Sequence, residues 1–344
     1  MMKKLPRRKI FLLGLTLLFW LSLVEAAAQG WYNSSWLYRK KITIDYTKVG
    51  ATGAPHTNFP VLINITDTDL SSKARSDGFD ILFTSSDGTT KLNHERESYT
   101  SGTGALLAWV QISSLSASAA TDIYMYYGNS TASDQQSGTS TWDSNFKAVW
   151  HLKESGDQTG NDYLDRTSNT NDLQGGGGDA TKVPTQSSSG LIGGAENFDG
   201  TNDLLNRAST ASLEITGNIT LSAWVNITNT GNHQIIIAKP TSDASHTSPY
   251  FDYGIHLLYV TSTTYQPRFW TSSGGSGRSI SSSVNINTSS WNHIVGVYDG
   301  STMKIYVNAI DRGSTSVSGS IDNNQKKLFL GANGGSGEVF KNLM

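Results

Sequence analysis

Hydrophobic and polar positions alternate with a period of two over most of the chain beyond residue 30. In WLYRKKITIDY, residues 36–46, Trp36, Tyr38, Ile42, Ile44 and Tyr46 fall on one face; Arg39, Lys41, Thr43 and Asp45 fall on the other. NFPVLINIT points Phe59, Val61, Ile63 and Ile65 inward and Asn64 outward, and FDILFT puts Phe79, Ile81 and Phe83 on one side. ALLAWVQI and TDIYMYYG continue the series. Alternation rich in β-branched and aromatic residues is the pattern of half-buried strands. Asp87-Gly88 lies between two such runs and predicts a hairpin turn.

After Gly128 comes NSTASDQQSGTSTWDSN, which is polar, small and unpatterned. It sets a boundary, giving a first domain at 31–130, a linker at 131–145 and a second domain at 146–344. The second domain carries FKAVWHL, ITLSAWVNI, HQIIIAK, FDYGIHLLYV, QPRFWT, WNHIVGVYDG, MKIYVNA and KKLFLGA, with a hairpin at Asp299-Gly300. A turn-rich stretch, 153–195, includes GGGG at 175–178. No helix of conventional length and no repeat of fixed period is visible. The pattern predicts an all-β protein of two antiparallel β-sandwich domains.

Composition narrows the possibilities. A chain of 344 residues allows more than one domain. The formal charge of −2 gives no basic excess for nucleic acid as a partner. The absence of cysteine excludes disulfide frameworks, zinc ribbons, iron–sulfur clusters and thiol catalysis. The N-terminus reads as an export signal over residues 1–28. MMKKLPRRK is a basic region, and IFLLGLTLLFWLSLV is an apolar stretch too short to span a membrane comfortably. Ala26 and Ala28 then suit a cut before Gln29. The expected location is secreted or cell-surface, with no membrane insertion after cleavage. Export without cysteine points to a bacterial or archaeal source.

Two family resemblances emerge from these residues. WLYRKKITID, FPVLINI, DGFDILFTSSDGTTKLNHERESY and LLAWVQISSLSASAATDIYMYYGN resemble the domain of unknown function 2341 family. That resemblance implies a secreted β-sandwich and no established chemistry. AVWHLKE, LDRTSNTNDLQGGGG, GLIGGAENFDGTNDLLNRASTASLEITGNITLSAWVNI, SSWNHIVGVYDGSTMKIYVNA and LFLGANGG resemble the laminin-G-like, concanavalin A-like jelly-roll family. That fold serves lectins, adhesins, accessory domains and some glycosidases. Its members continue past the LGAN strand into a segment of the form G-x-I-D-(D/E)-V-R-I-Y. This sequence stops at GEVFKNLM, so the resemblance implies a missing closing strand and an exposed sheet edge.

Candidate chemistry has competing readings. AENFDGTNDLLNR, residues 195–207, holds Glu196, Asp199 and Asp203. Asp-Gly recurs at 77, 87, 199 and 299, which reads as turn chemistry. By the jelly-roll resemblance the same region can hold calcium, with Asp165, Asn171 and Asp199 as ligands, and Asn169 as a further carbonyl donor. Asp203 is expected to be solvated. A glycosidase needs two carboxyls at a fixed gap. The strand-borne E-x-D-x-(x)-E pattern of the concanavalin-like hydrolases is absent, and ESGDQTGND at 154–162 is a loop. NHERES at 93–98 lacks the second histidine of a zinc motif. His151, His233, His256 and His293 are read as strand-face residues.

Aromatic side chains can stack on sugar rings. Trp150, Trp224 and Trp291 are assigned to the core. Tyr250, Phe251, Tyr265 and Trp270 lie near turns and are free to be exposed, with Arg268 adding hydrogen bonds; Tyr250, Tyr265, Arg268 and Trp270 form the candidate ligand set, against the alternative of rim packing. N-x-(S/T) sequons occur at Asn33, Asn64, Asn129, Asn218, Asn226 and Asn287. The expectation is a non-catalytic, exported binding protein for glycans or surface proteins. The alternatives are a spacer in a larger surface protein and an accessory part of a glycoside hydrolase.

Overall fold

The computed structural model describes residues 30–50, 53–242, 248–333 and 339–344. The export signal expected at 1–28 lies outside the described residues. Among them, no helix is long and apolar enough to cross a membrane.

The first sandwich is built from Tyr38–Ile44 (β1), His56–Thr66 (β2), Leu82–Thr84 (β3), Lys91–Leu92 (β4), His94–Thr100 (β5), Ala105–Leu115 (β6) and Thr121–Tyr127 (β7). One sheet runs β1-β7-β3-β4 and the other β2-β6-β5, all antiparallel. Ile63, Phe83, Leu106, Val110, Ile123 and Met125 pack between the sheets. One short helix, Thr68–Lys73 (α1), closes an end, capped by the Asp67 carboxylate on the Asp69 and Leu70 amides.

Three local readings of this domain need correction. Tyr46 leaves the β1 face, because Asp45 caps a 3-10 turn over Tyr46–Lys48 and exposes the ring. Phe59 is 47% exposed and Pro60 is buried in its place; Asn58 at φ 51 reorients the strand just before them. β3 is buried on both faces. Phe83 enters the inter-sheet core, while Leu82 joins Trp36, Tyr124, Tyr126 and Ala132 in an outer cluster. The aromatic N-terminal segment covers what alternation alone reads as a solvent face.

The second sandwich uses Gln174–Gly175 (β8), Thr185–Ser187 (β9), Ala195–Asp199 (β10), Leu205–Arg207 (β11), Ile219–Ile227 (β12), Gln234–Pro240 (β13), Phe251–Thr261 (β14), Thr264–Ser273 (β15), Ser276–Ser281 (β16), Ile286–Asn287 (β17), Trp291–Tyr298 (β18), Thr302–Val307 (β19), Ile310–Ser316 (β20), Leu328–Leu330 (β21) and Lys341–Leu343 (β22). A seven-stranded sheet runs β20-β19-β18-β12-β22-β10-β9. The facing eight-stranded sheet runs β16-β15-β14-β13-β21-β11-β8, with β17 beside β15. Val225, Ile255, Leu257, Phe269, Ile294 and Ile305 belong to the core between them.

The closing position in this sheet is occupied over three residues, and among the described residues only Asn226 and Ile227 of β12 find a partner on that side. β22 sits between β10 and β12, pairing Asn197 with Leu343 on one side and Asn226 with Leu343 on the other. Phe340 is fully buried edge-on against Phe198 at 5.6 Å, which anchors the short strand. The outermost strands of the sheet are β20 and β9.

Residues 131–145 pack against the first domain, contrary to their unpatterned composition. The Gln135 amide donates to Phe79 O, the Ser137 amide to His94 O, and Trp142 is buried. Polar side chains hold this segment, so hydrophobic periodicity misses it. The two sandwiches then meet at β5. His151 is enclosed between Glu95 and Glu97, with Nε2 3.3 Å from Glu95 Oε1 and Nδ1 3.3 Å from Glu97 Oε2. Arg166 pairs with Glu95, and Lys153 Nζ donates to Glu97 O at 2.8 Å. Trp142 and Trp109 donate their indole N–H groups to Glu95 and Glu97 at 2.9 and 2.8 Å. His151 is thus an interdomain residue and not a simple strand-face one, and NHERES is a structural segment.

Candidate functional site

Asp165 and Asn171 of the expected metal set lie together, and protein groups take up their polar atoms. Asp165 is buried and accepts from the Val149 and Thr167 amides through Oδ1, and from the Thr167 hydroxyl and Asn171 amide through Oδ2. These four bonds use its four lone-pair sites. Asn171 is equally engaged, donating to Lys147 O and Ser212 Oγ and accepting from Thr210 Oγ1. Asn169 donates to Phe146 O and Lys147 O. Asp199 accepts from the Thr201 and Asn202 amides. The same turn occurs at Asp77, Asp87 and Asp299, each followed by a glycine at positive φ. Among the described residues no three acidic or imidazole groups form a metal-holding cluster.

Asp203 is buried, not solvated, and accepts from the Asp199 amide at 2.8 Å. Glu196 lies wholly inside the sandwich, with neither carboxylate oxygen hydrogen-bonded. Burial, with the Glu154 and Asp203 charges, pushes its carboxyl up to about 9. A raised carboxyl pKa is a feature of catalytic acids. Glu196 is fully enclosed, however, and presents no surface to a glycosidic oxygen.

The aromatic candidates separate cleanly. In β15 the outward positions are Gln266, Arg268 and Trp270; Tyr265 and Phe269 point into the core. Tyr265 is 0% exposed, and its hydroxyl donates to Asn229 Oδ1 while accepting from the Thr230 amide. Its neighbouring turn suggested exposure; strand parity decides against it. Phe251 is also buried, in a cluster with Ile235 and Ala238 against which Tyr250 and Trp270 pack.

Tyr250, Arg268 and Trp270 remain together on the outer face of the eight-stranded sheet. Trp270 is half-buried and donates its indole N–H to Pro249 O at 2.9 Å. Tyr250 meets it edge-on at 5.6 Å and 77°. Cross-strand partners complete the face. His256 opposes Arg268, Gly254 opposes Trp270, and Leu258 opposes Gln266. Ser281 and Ser279 flank from β16. Gly277 leaves room for the indole, since a Cβ there would fall 2.5 Å from its ring. Arg268 Nε donates to Ser281 Oγ at 2.9 Å, and burial lowers the guanidinium pKa.

Family models match both halves of the chain. Residues 77–170 match domain of unknown function 2341. Residues 199–344 match the concanavalin A-like lectin/glucanases superfamily. The second sandwich is concanavalin A-like. Among solved structures, domain 4 of AbnA, a GH43 extracellular arabinanase from Geobacillus stearothermophilus, in complex with arabinotriose, is 17% identical, covers 52% of this chain and 82% of that one, and gives a TM-score of 0.39. The CBM40 of a Ruminococcus gnavus IT-sialidase, bound to alpha2,3 sialyllactose, is 13% identical over 39% and 76%, with a TM-score of 0.32. Both similarities are remote. None of the curated proteins matches the chain.

The concanavalin A-like sandwich also displays residues that pattern reading assigns to the core. Trp224 is 37% exposed and stacks on His293 at 4.7 Å and 16°, on the outer face of the seven-stranded sheet. Trp291 is half-buried, and Trp150, also half-buried, packs against the core as expected. The alternation of β12 and β18 places Trp224 and His293 outward, a signal available in the sequence once strand parity is applied. His233 and His256 meet edge-on at 5.4 Å. Of the sequon asparagines, Asn33, Asn64, Asn218 and Asn287 are exposed and Asn226 is half-buried. Asn129 is buried, with its carbonyl accepting from the Thr131 amide and hydroxyl.

Proposed function

We propose that this is an exported, non-catalytic binding protein whose concanavalin A-like sandwich recognises saccharides on the outer face of its eight-stranded sheet. The observation that carries the reading is the outward row Gln266–Arg268–Trp270 on β15, with Tyr250 edge-on to Trp270. An indole braced by a neighbouring ring and by its own N–H bond is preorganised, so little rotamer entropy is lost on binding. Its apolar surface suits the C–H face of a pyranose, while Gln266, Arg268 and the β16 serines supply polar contacts to hydroxyls. The superfamily's lectin and glucanase membership supports a carbohydrate-related role. The basic and apolar N-terminal segments support export. The first sandwich is a rigid mount for this face through the Glu95–His151 junction.

A glycan panel tests the reading. The protein is expected to bind at least one saccharide, and Trp270→Ala to abolish binding with the far-UV spectrum and cooperative unfolding preserved. Binding that survives Trp270→Ala, or a folded protein that binds nothing in the panel, overturns it.

A further inference from the structure

We propose that the saccharide held by this face is acidic, with its anionic group seated on Arg268; this rests on the saccharide-binding reading above. Among the described residues, the guanidinium makes a single hydrogen bond, from Nε to Ser281 Oγ. Its two terminal nitrogens, which form the donor fork, carry none. Other arginines of the chain are matched differently. Arg75 pairs with Asp77, Arg96 with Asp134 and Arg166 with Glu95. Arg278 donates to Ser318 O and Ser272 O.

Among the described residues, the surroundings of Arg268 contain no compensating charge. Its cross-strand neighbours are His256 on β14 and Ser281 on β16. Gln266 and Trp270 flank it on its own strand, and Leu258, Gly254 and Ser279 stand at the diagonals. None is acidic. The nearest outward carboxylate along β14, Asp252, is fully buried and bonded to the Asn324 amide and side chain. A half-buried cation without an anion is unfavourable unless a ligand supplies one. Neutral hydroxyls can accept from the fork but leave the charge uncompensated. An oxyanion satisfies both needs, and two parallel N–H donors fit it bidentately. Trp270 lies two residues along the strand, so a sugar ring stacked on the indole sets a substituent near the fork.

The shared ligand chemistry is a saccharide oxyanion, which a uronic acid or a sulfate ester can provide. The test is calorimetric titration of the full mature chain with matched pairs: oligogalacturonate against its methyl ester, oligomannuronate against mannan oligomers, and dextran sulfate against dextran. The expected result is binding to an acidic member about tenfold or more tighter than to its neutral counterpart, weakened by added salt. Arg268→Gln is expected to remove that preference while Trp270→Ala removes binding altogether. Preference in the uronate pairs identifies a carboxylate; preference confined to dextran sulfate identifies a sulfate. Equal binding of acidic and neutral members, abolished by Trp270→Ala, overturns the inference and leaves the saccharide reading standing. An acidic preference that persists in folded Arg268→Gln also overturns it. Failure of the folded protein to bind any neutral or acidic saccharide overturns both readings.

Discussion

The imidazole Nε2 of His151, in the second sandwich, lies 3.3 Å from Glu95 Oε1 in the first. Burial favours the neutral form of Glu95, but His151, Trp142 and Arg166 outweigh it and hold the carboxyl down at about 2. This carboxylate ties the two domains into one unit. The family model for the first domain runs to residue 170, through both His151 and Arg166. The match therefore includes the residues that close the junction.

Removing the second sandwich's partners of Glu95 should uncouple the domains. His151→Ala combined with Arg166→Ala strands Glu95 as a buried anion, at a cost of about 3–5 kcal/mol. Calorimetry is expected to show one unfolding transition for the native chain and two for the double variant. Because the folded pKa of Glu95 is depressed, its contribution is present above pH 4.5 and is lost as pH falls toward 2. Acid should therefore reproduce the split, and an unchanged single transition would count against the junction.

Glu196 predicts the opposite pH response. Its folded pKa of about 9 lies above the ordinary 4.5, so the fold holds a proton that the unfolded chain has released at neutral pH. The stability this proton represents is full below pH 4.5 and declines as pH rises to 9. Glu196→Gln should flatten that slope and stabilise the protein at pH 7 by a few kcal/mol, roughly. Denaturant unfolding from pH 5 to pH 9 measures it.

Gly277→Ala places a methyl group where the Trp270 ring lies. The strand tolerates alanine, so the fold should survive. The indole must move, and saccharide affinity is expected to fall by about tenfold or more. A crystal structure or tryptophan fluorescence would show the displacement.

Tyr265 offers a contrast. Tyr265→Phe removes the hydroxyl bonded to Asn229 and Thr230 and should cost about 1–2 kcal/mol in stability. Ligand affinity should not change, since the ring faces the core. Titration of this variant beside Trp270→Ala separates the two positions.

Asp165 is expected to act as a loop organiser. Asp165→Ala leaves buried amides of Val149, Thr167 and Asn171 without partners and should cost on the order of 3 kcal/mol or more. Chelation with EDTA should leave the unfolding temperature unchanged, because the carboxylate has no free lone pair for a cation. A marked drop with EDTA would reassign the site.

Local chemistry was readable residue by residue. The Asp-Gly turns, the outward Asn64 and the membership of Tyr250, Arg268 and Trp270 in one candidate set follow from spacing and side-chain type. Tyr265 lies near a turn, yet strand parity turns its ring into the core. Trp224 has the side-chain type of an interior residue, yet the parity of β12 turns it outward. Glu95 and Glu97 could not be recognised as junction residues, since His151 and Arg166 are far away in sequence.

The sequence by itself determined the all-β class, the two-sandwich division and the inward and outward sides of most strands. It could do so because strand parity and turn geometry are local: each depends on neighbouring residues and on the steric limits of φ and ψ. Only the tertiary structure decided that residues 341–343 enter the middle of a sheet, that residues 131–145 pack on the first domain, and that Arg268 stands without an acidic partner among the described residues. Those outcomes depend on which distant strands become neighbours and on what burial does to charge, and neither is encoded within a short window of the chain.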